Sequence, residues 1–264
     1  MAVSNNITAL LNFVSLLCSV PVIATGIWLA SKEDDECVRG IARWPVIILG
    51  VLLLLVSLAG FVGAYWNKQG LLATYLFCKA ALIVLLISLL VFTYAVTGPD
   101  GSYRVPGRSY HEYRFFGFSA WLRHYAMDHW AQIRVCLSSS NVCQKLGRDH
   151  PYLTADQYFF QTDFSPLQSG CCKPPSVCGY AYVNPTVWIN PSNLMVDVDC
   201  ALWSNEQSRL CYDCNSCKAG LLGNMREEWR KANVALITTA VVLILIYFIG
   251  CCAFNNAQIE NRRK

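Results

Sequence analysis

The sequence predicts an all-α membrane protein with four transmembrane helices, a small first loop and a large disulfide-rich second extracellular loop. Three observations predict it. Of 264 residues, only 14% are charged and 55% are hydrophobic, whereas an ordinary soluble domain carries about 25% charged residues. Residues 1–31, 44–67, 80–99 and 232–259 contain no Asp, Glu, Lys or Arg. Most of the 14 cysteines fall between those windows. The net charge of +4 is small and dispersed, which leaves no electrostatic footprint for nucleic acid.

Taken in order, residues 1–6 form a short N-terminal segment and 7–30 the first span. Crossing about 30 Å of hydrocarbon takes about 20 apolar residues, and 46–66, 71–96 and 234–253 also meet that length. The first span lacks a basic flank and a small-residue cleavage site, so it reads as a permanent anchor and not a signal peptide. Pro21 lies within it and predicts a kink. Residues 31–45 make the small acidic loop, 67–70 a tight turn, 97–233 the large loop and 254–264 the tail, which ends Arg262-Arg263-Lys264.

Basic residues flank both sides of the spans, so charge does not orient them. Cysteine does. Cys37 lies in the small loop, and Cys136, Cys143, Cys171, Cys172, Cys178, Cys200, Cys211, Cys214 and Cys217 lie in the large one. Such density persists as disulfides in an oxidising compartment, which places the loops outside and both termini in the cytosol. The large loop alone has an odd count, so pairing every cysteine requires Cys37 to tie the loops together; otherwise one thiol is left over.

Within the spans the one ionisable residue is Lys79, which reads as snorkelling to the cytosolic edge. That pattern speaks against an ion-coupled pump. The spans instead carry seams. Asn12, Ser15, Ser19, Val22, Gly26 and Leu29 recur at alternating spacings of three and four, as do Leu49, Leu53, Val56, Gly60 and Gly63. This alternation aligns one stripe along a helix pair, and its small residues let backbones approach in lipid. Helix packing is therefore assigned to Asn12, Ser15, Ser19, Gly26, Gly60 and Gly63.

In the large loop, Tyr110–Ile133 reads as an amphipathic helix continuing from the third span, and Ala219–Lys231 as a helix running into the fourth. Between them, Pro174, Pro175, Pro185 and Pro191 punctuate a cysteine-rich lobe. His111, His124, His129 and His150 show no metal-binding spacing. No nucleophile elbow, P-loop or dinucleotide fingerprint occurs. No catalytic, cofactor-binding or metal residue is assigned, and no small-molecule substrate is expected.

Gly170-Cys171-Cys172-Lys173-Pro174-Pro175, set in the large second loop of a four-span chain, resembles the tetraspanin family. Three further segments are similar to its land-plant branch: Asn184-Pro185-Thr186-Val187-Trp188, the Cys211-x-x-Cys214-x-x-Cys217-Lys218-Ala219-Gly220 run, and Gly250-Cys251-Cys252-Ala253-Phe254. The resemblance covers essentially the whole chain. It implies a cone of four helices capped by the large loop, no catalysis, and a scaffold that gathers membrane proteins, lipids and other tetraspanins into microdomains, as a homo- or hetero-oligomer. Trafficking, cell differentiation and development are the processes it implies, at the plasma membrane or a secretory-pathway or vesicle membrane. It also implies that Cys171 pairs with Cys217 and that Cys172 pairs within the lobe. Many animal members carry Glu or Gln in spans three and four. This chain has neither there, so the likeness does not extend to a sterol-type cavity.

Cys78, Cys251 and Cys252 lie at cytosolic helix ends and are candidates for S-palmitoylation. The competing reading is a membrane thiol-disulfide oxidoreductase using Cys211-Tyr212-Asp213-Cys214, although that motif stands about 20 residues outside the fourth span. A metal site at Cys211, Cys214 and Cys217 competes poorly with disulfides in an oxidising lumen. A claudin-like barrier protein would place its large cysteine loop between spans one and two.

Overall fold

The computed structural model describes residues 7, 9–17, 19–20, 23–24, 36–66, 69–140, 142–149 and 154–263. The chain divides into two compact units: residues 1–92 with 233–264, and residues 93–232.

The first unit is helical. Residues 9–17 are helical, followed by α1 (Glu36–Tyr65), α2 (Gln69–Thr97) and the membrane-side half of the last helix, which runs from Asn215 to Arg263. Gly70–Thr97 and Asn215–Asn256 are each long and apolar enough to cross a bilayer, and α1 carries the shorter apolar stretch Gly50–Gly63. Each helix buries one stripe and turns the rest outward. On α2 the buried residues within this unit are Leu72, Tyr75, Leu76, Lys79, Leu82 and Leu86, the three/four alternation of a left-handed helix pair. On the membrane-side half of the last helix they include Ala240, Leu243, Ile246 and Ala253. Val84, Val91, Val234 and Phe248 point outward, as side chains facing lipid must.

The second unit differs from the expectation of helix throughout its first part. No helix spans Tyr110–Ile133. After α2 the chain makes an antiparallel hairpin, β1 (Ser102–Arg104) with β2 (His111–Tyr113), pairing Tyr103 with Glu112. Its turn contains Pro106 and Gly107, with φ +69° at Gly107 and Arg108 N–H donating to Val105 O at 3.1 Å. Pro followed by Gly is the signature of a type II turn, because only glycine takes positive φ there without strain. A 3-10 turn, Phe115–Gly117, follows. Only then do α3 (Ala120–Asp128), capped by Ser119, and α4 (Trp130–Ser139) form. The turn chemistry at Pro106-Gly107 overrode the aromatic spacing.

The lobe is built from short pieces: α5 (Val142–Asp149), α6 (Ala155–Phe160), α7 (Pro166–Cys171), a second hairpin of β3 (Ala181–Asn184) and β4 (Val187–Ile189), and α8 (Val198–Leu202). Thr154 with Gln157, and Ser165 with Gln168, form reciprocal capping boxes, which hold helices too short to persist alone. The last helix, α9 (Asn215–Arg263), starts where the Asp199 carboxylate accepts the N–H groups of Asn215 (2.8 Å) and Ser216 (2.7 Å). That carboxylate satisfies orphan donors and opposes the positive end of the helix dipole. One cluster joins Phe115, Phe118, Leu122 and Ala126 to Ala219 and Leu222 of α9, with Val96 and Met225 packed on it.

Candidate functional site: a helix seam and a crosslinked ectodomain

In the first unit the seam centres on Tyr75. Its side chain is fully buried and hydrogen-bonded to Asn12 from the first helical segment. A Cβ on Gly60 would stand 2.5 Å from the Tyr75 ring and 2.7 Å from Asn12 Oδ1. On Gly250, a Cβ would stand 3.3 Å from the same ring. One aromatic ring is thus gripped by glycines of two helices and a polar side chain of a third. Gly63 packs on the backbone of Leu72, where a Cβ would lie 3.2 Å from its nitrogen. Asn12, Ser19, Gly60 and Gly63 are buried and Ser15 half-buried. Gly26, Val22, Leu29 and Pro21 lie outside the described residues.

Lys79 does not snorkel. It is 2% exposed, and its Nζ donates to the Tyr75 hydroxyl at 3.1 Å. Residue 79 falls one helical turn after Tyr75 on the same face, so the ammonium is drawn into the seam by the hydroxyl. Sequence reading missed Tyr75. The signal available was its register with Leu72, Lys79, Leu82 and Leu86.

In the second unit, four disulfides join Cys143 to Cys172, Cys171 to Cys217, Cys178 to Cys200 and Cys211 to Cys214. Cys136 is also disulfide-bonded, and the side chain of Cys37 lies outside the described residues. Adjacent cysteines thus bridge in opposite directions: Cys171 to the start of α9, Cys172 back to α5. Cys211 and Cys214 are fully buried and bonded to each other. A dithiol that works on a substrate must present a sulfur to it, so the oxidoreductase reading is withdrawn. With Cys217 also bonded, the three thiolates needed for a metal site at 211, 214 and 217 do not exist. Cys78, Cys251 and Cys252 are free thiols, the first two partly buried and the third exposed.

Lys173 of the Gly-Cys-Cys-Lys-Pro-Pro segment is buried and pairs with Glu112 of β2, itself buried. Glu112 also accepts from Ser176 N–H (3.0 Å), Ser176 Oγ (2.8 Å) and Tyr103 OH (2.9 Å). Burial pushes Glu112 up. The Lys173 charge and the hydrogen bonds from Lys173, Ser176 and Tyr103 outweigh it and hold the carboxyl below its usual range. Burial and the neighbouring Glu112 charge push the Tyr103 phenol up. Lys173 Nζ also sits 4.6 Å from the centre of the Tyr110 ring, a cation–π contact. Charges buried this deeply persist only when paired and hydrogen-bonded.

Beside this pair lies an aromatic cluster. Tyr158 is fully buried and packs on Phe164, Tyr182 and Trp188 at centroid distances of 4.8, 4.8 and 5.6 Å. Trp188 ends the Asn184-Pro185-Thr186-Val187-Trp188 segment. Asn205 clamps its backbone, accepting from Trp188 N–H (2.9 Å) and donating to Trp188 O (3.0 Å). The second unit is therefore a preformed surface held by crosslinks, one buried ion pair and stacked rings. Leu194, Met195, Val196 and Val198 stand outward on its lobe. His111, His124 and His129 are exposed, with His124 against Asp128 at 2.7 Å, and His150 lies outside the described residues.

A model of the tetraspanin family matches residues 4–255. Over 263 residues the chain is 60% identical to Tetraspanin-2 of Arabidopsis thaliana, covering 99% of this chain and 96% of that protein. It is 48% identical over 263 residues to Protein TORNADO 2 of Arabidopsis thaliana, with the same coverages of 99% and 96%. Its identity to Tetraspanin-8 of Arabidopsis thaliana is 41% over 261 residues, covering 98% of this chain and 95% of that protein.

Proposed function

Because this chain belongs to the tetraspanin family, we propose that it is a non-enzymatic scaffold that gathers membrane proteins, lipids and copies of itself into lateral assemblies. Trafficking, cell differentiation and development are the processes it would serve. The observation that carries this reading is the division of labour around Tyr75. Polar and small groups face inward at Asn12, Gly60, Tyr75 and Lys79, while each helix presents an apolar outer face to lipid and neighbouring helices. The ectodomain supplies a rigid surface that pays little ordering entropy when a partner docks.

In this reading residues 7–30, 46–66, 71–96 and 234–253 span the membrane. Both termini are cytosolic, and the protein resides in the plasma membrane or a secretory-pathway or vesicle membrane. A disulfide from Cys37 to the large loop would complete the pairing of the ten loop cysteines. Acyl chains on Cys251, Cys252 and Cys78 would add lipid at the helix ends beside the basic tail, favouring clustering.

Proximity labelling in the native cell tests the scaffold reading. The intact chain should label a set of membrane neighbours, and exchanging residues 136–217 for the corresponding lobe of a relative should change that set. An unchanged set, or one no richer than that of an unrelated four-span protein, would sink the reading.

A further inference from the structure

One ring of the Phe115–Gly117 turn points outward. Phe116 is 77% exposed, yet its neighbours Phe115 and Phe118 are buried. The turn is pinned close to the exit of α2. A Cβ on Gly117 would stand 2.5 Å from Gly101 Cα, and Arg114 N–H donates to Gly101 O at 2.7 Å. Gly101 follows Thr97, the last residue of that apolar helix, by only four positions. Val96 packs on the cluster containing Phe115, Phe118 and Leu122, so the turn stands level with the end of the apolar run. Two residues back, about 3 Å along the helix axis, Tyr94 is 78% exposed.

One neighbour completes the patch. The Arg123 guanidinium lies 5.3 Å from the centre of the Phe116 ring. Its Nε is buried without a hydrogen-bond partner, and Arg123 has no carboxylate partner among the described residues. An outward Phe beside an uncompensated guanidinium fits the bilayer boundary, where aromatic rings sit at headgroup level and basic groups meet phosphate. That boundary is only about 6 Å deep on each side of the hydrocarbon, comparable with the reach of a phenylalanine.

We propose that the Phe116 turn is a lipid-contacting wedge: Phe116 enters the outer interfacial layer, and Arg123 takes a phospholipid phosphate. The proposal rests on the reading that 71–96 spans the membrane. The wedge would seat the base of the ectodomain in the outer leaflet, making lipid its partner at that face.

The test uses the full chain in phosphatidylcholine vesicles containing a phosphatidylcholine that carries a photoactivatable diazirine near the glycerol. Adducts are mapped by mass spectrometry. Residues 115–123, released by cleavage after Arg114 and Arg123, should carry lipid adducts, as should residues 71–92. Phe116→Ser should lower the 115–123 yield several-fold with all disulfides intact by mass, and Arg123→Gln, which removes a cleavage point and is therefore compared over residues 115–134, should lower the adduct yield there as well. Adducts in 71–92 but none in 115–123 would overturn the wedge alone, as would labelling of 115–123 only by a water-soluble diazirine. Absence of adducts from both would overturn the spanning reading and the wedge with it.

Discussion

Gly170 and Gly220 meet back to back: a Cβ on Gly170 would lie 3.1 Å from Gly220 Cα, and one on Gly220 would lie 3.2 Å from Gly170 Cα. Each would also run into backbone, Ser216 O for Gly170 and Pro166 O for Gly220. α7 therefore crosses the first turns of α9 at a distance only glycine allows, beside the Cys171–Cys217 bond. Gly170→Ala or Gly220→Ala forces that crossing apart, at a cost of about 1–3 kcal/mol or more for overpacking. The expected outcome is a lower thermal midpoint for the purified full chain, followed by near-ultraviolet circular dichroism. An unchanged midpoint would show that the crossing yields freely.

The Glu112–Lys173 pair predicts a non-additive response. Lys173→Met alone strands a buried carboxylate, at about 3–5 kcal/mol. The double change Glu112→Gln with Lys173→Met should cost much less, because neither charge is left unpaired. Glu112 titrates in the folded state below its unfolded value of about 4.3. Its contribution is therefore fully present above that pH and is lost as pH falls through the depressed folded value. Stability measured against pH should show an acid limb below about pH 4 that Glu112→Gln reduces.

The disulfides should not weigh equally. Cys171–Cys217 closes a separation of 46 residues and Cys211–Cys214 one of 3. Loop-closure entropy assigns about 4 kcal/mol to the first and about 2 kcal/mol to the second. Cys171→Ser should retain the protein in the endoplasmic reticulum, whereas the Cys211→Ser, Cys214→Ser pair should be partly delivered. Surface biotinylation measures both, and equal delivery would contradict the ranking.

Gly60→Leu should disrupt the seam. The added side chain meets the Tyr75 ring and Asn12, and in lipid no hydrophobic drive compensates for lost packing. Lower recovery of folded chain in mild detergent is expected, with Leu58→Ala, which faces outward, as the tolerated comparison. Equal recovery of the two variants would remove Gly60 from the packing argument.

Cys251→Ser with Cys252→Ser should leave insertion intact and reduce co-purification of membrane neighbours in mild detergent. Acyl exchange on the unmutated chain should report thioesters, at Cys252 before Cys251, because only Cys252 is exposed. A chain without thioester would leave clustering to the helix seams and ectodomain.

By itself the sequence determined the class of this protein. Charge-free windows are a solvent requirement: hydrocarbon excludes ions over a fixed thickness, so membrane spans must be written as uninterrupted apolar runs. The Gly170-Cys171-Cys172-Lys173-Pro174-Pro175 segment was equally local, and it led to the family. Only the tertiary structure decided what depends on residues far apart in the chain. Lys79 turned inward because Tyr75 offers a hydroxyl there, which apolar periodicity does not reveal. Tyr110–Ile133 broke into strand, turn and helix because Pro106-Gly107 folds a hairpin and brings Glu112 to Lys173, a partner 61 residues away. Of the disulfides, only Cys171–Cys217 was legible by residue through family likeness, and spacing gave none, since it constrains which sulfurs can meet only after the backbone between them has a path. The positions of Gly60, Gly170 and Gly220 carry the same lesson: a missing side chain leaves no chemical signal in the sequence, and its purpose appears only when another backbone or ring fills the space.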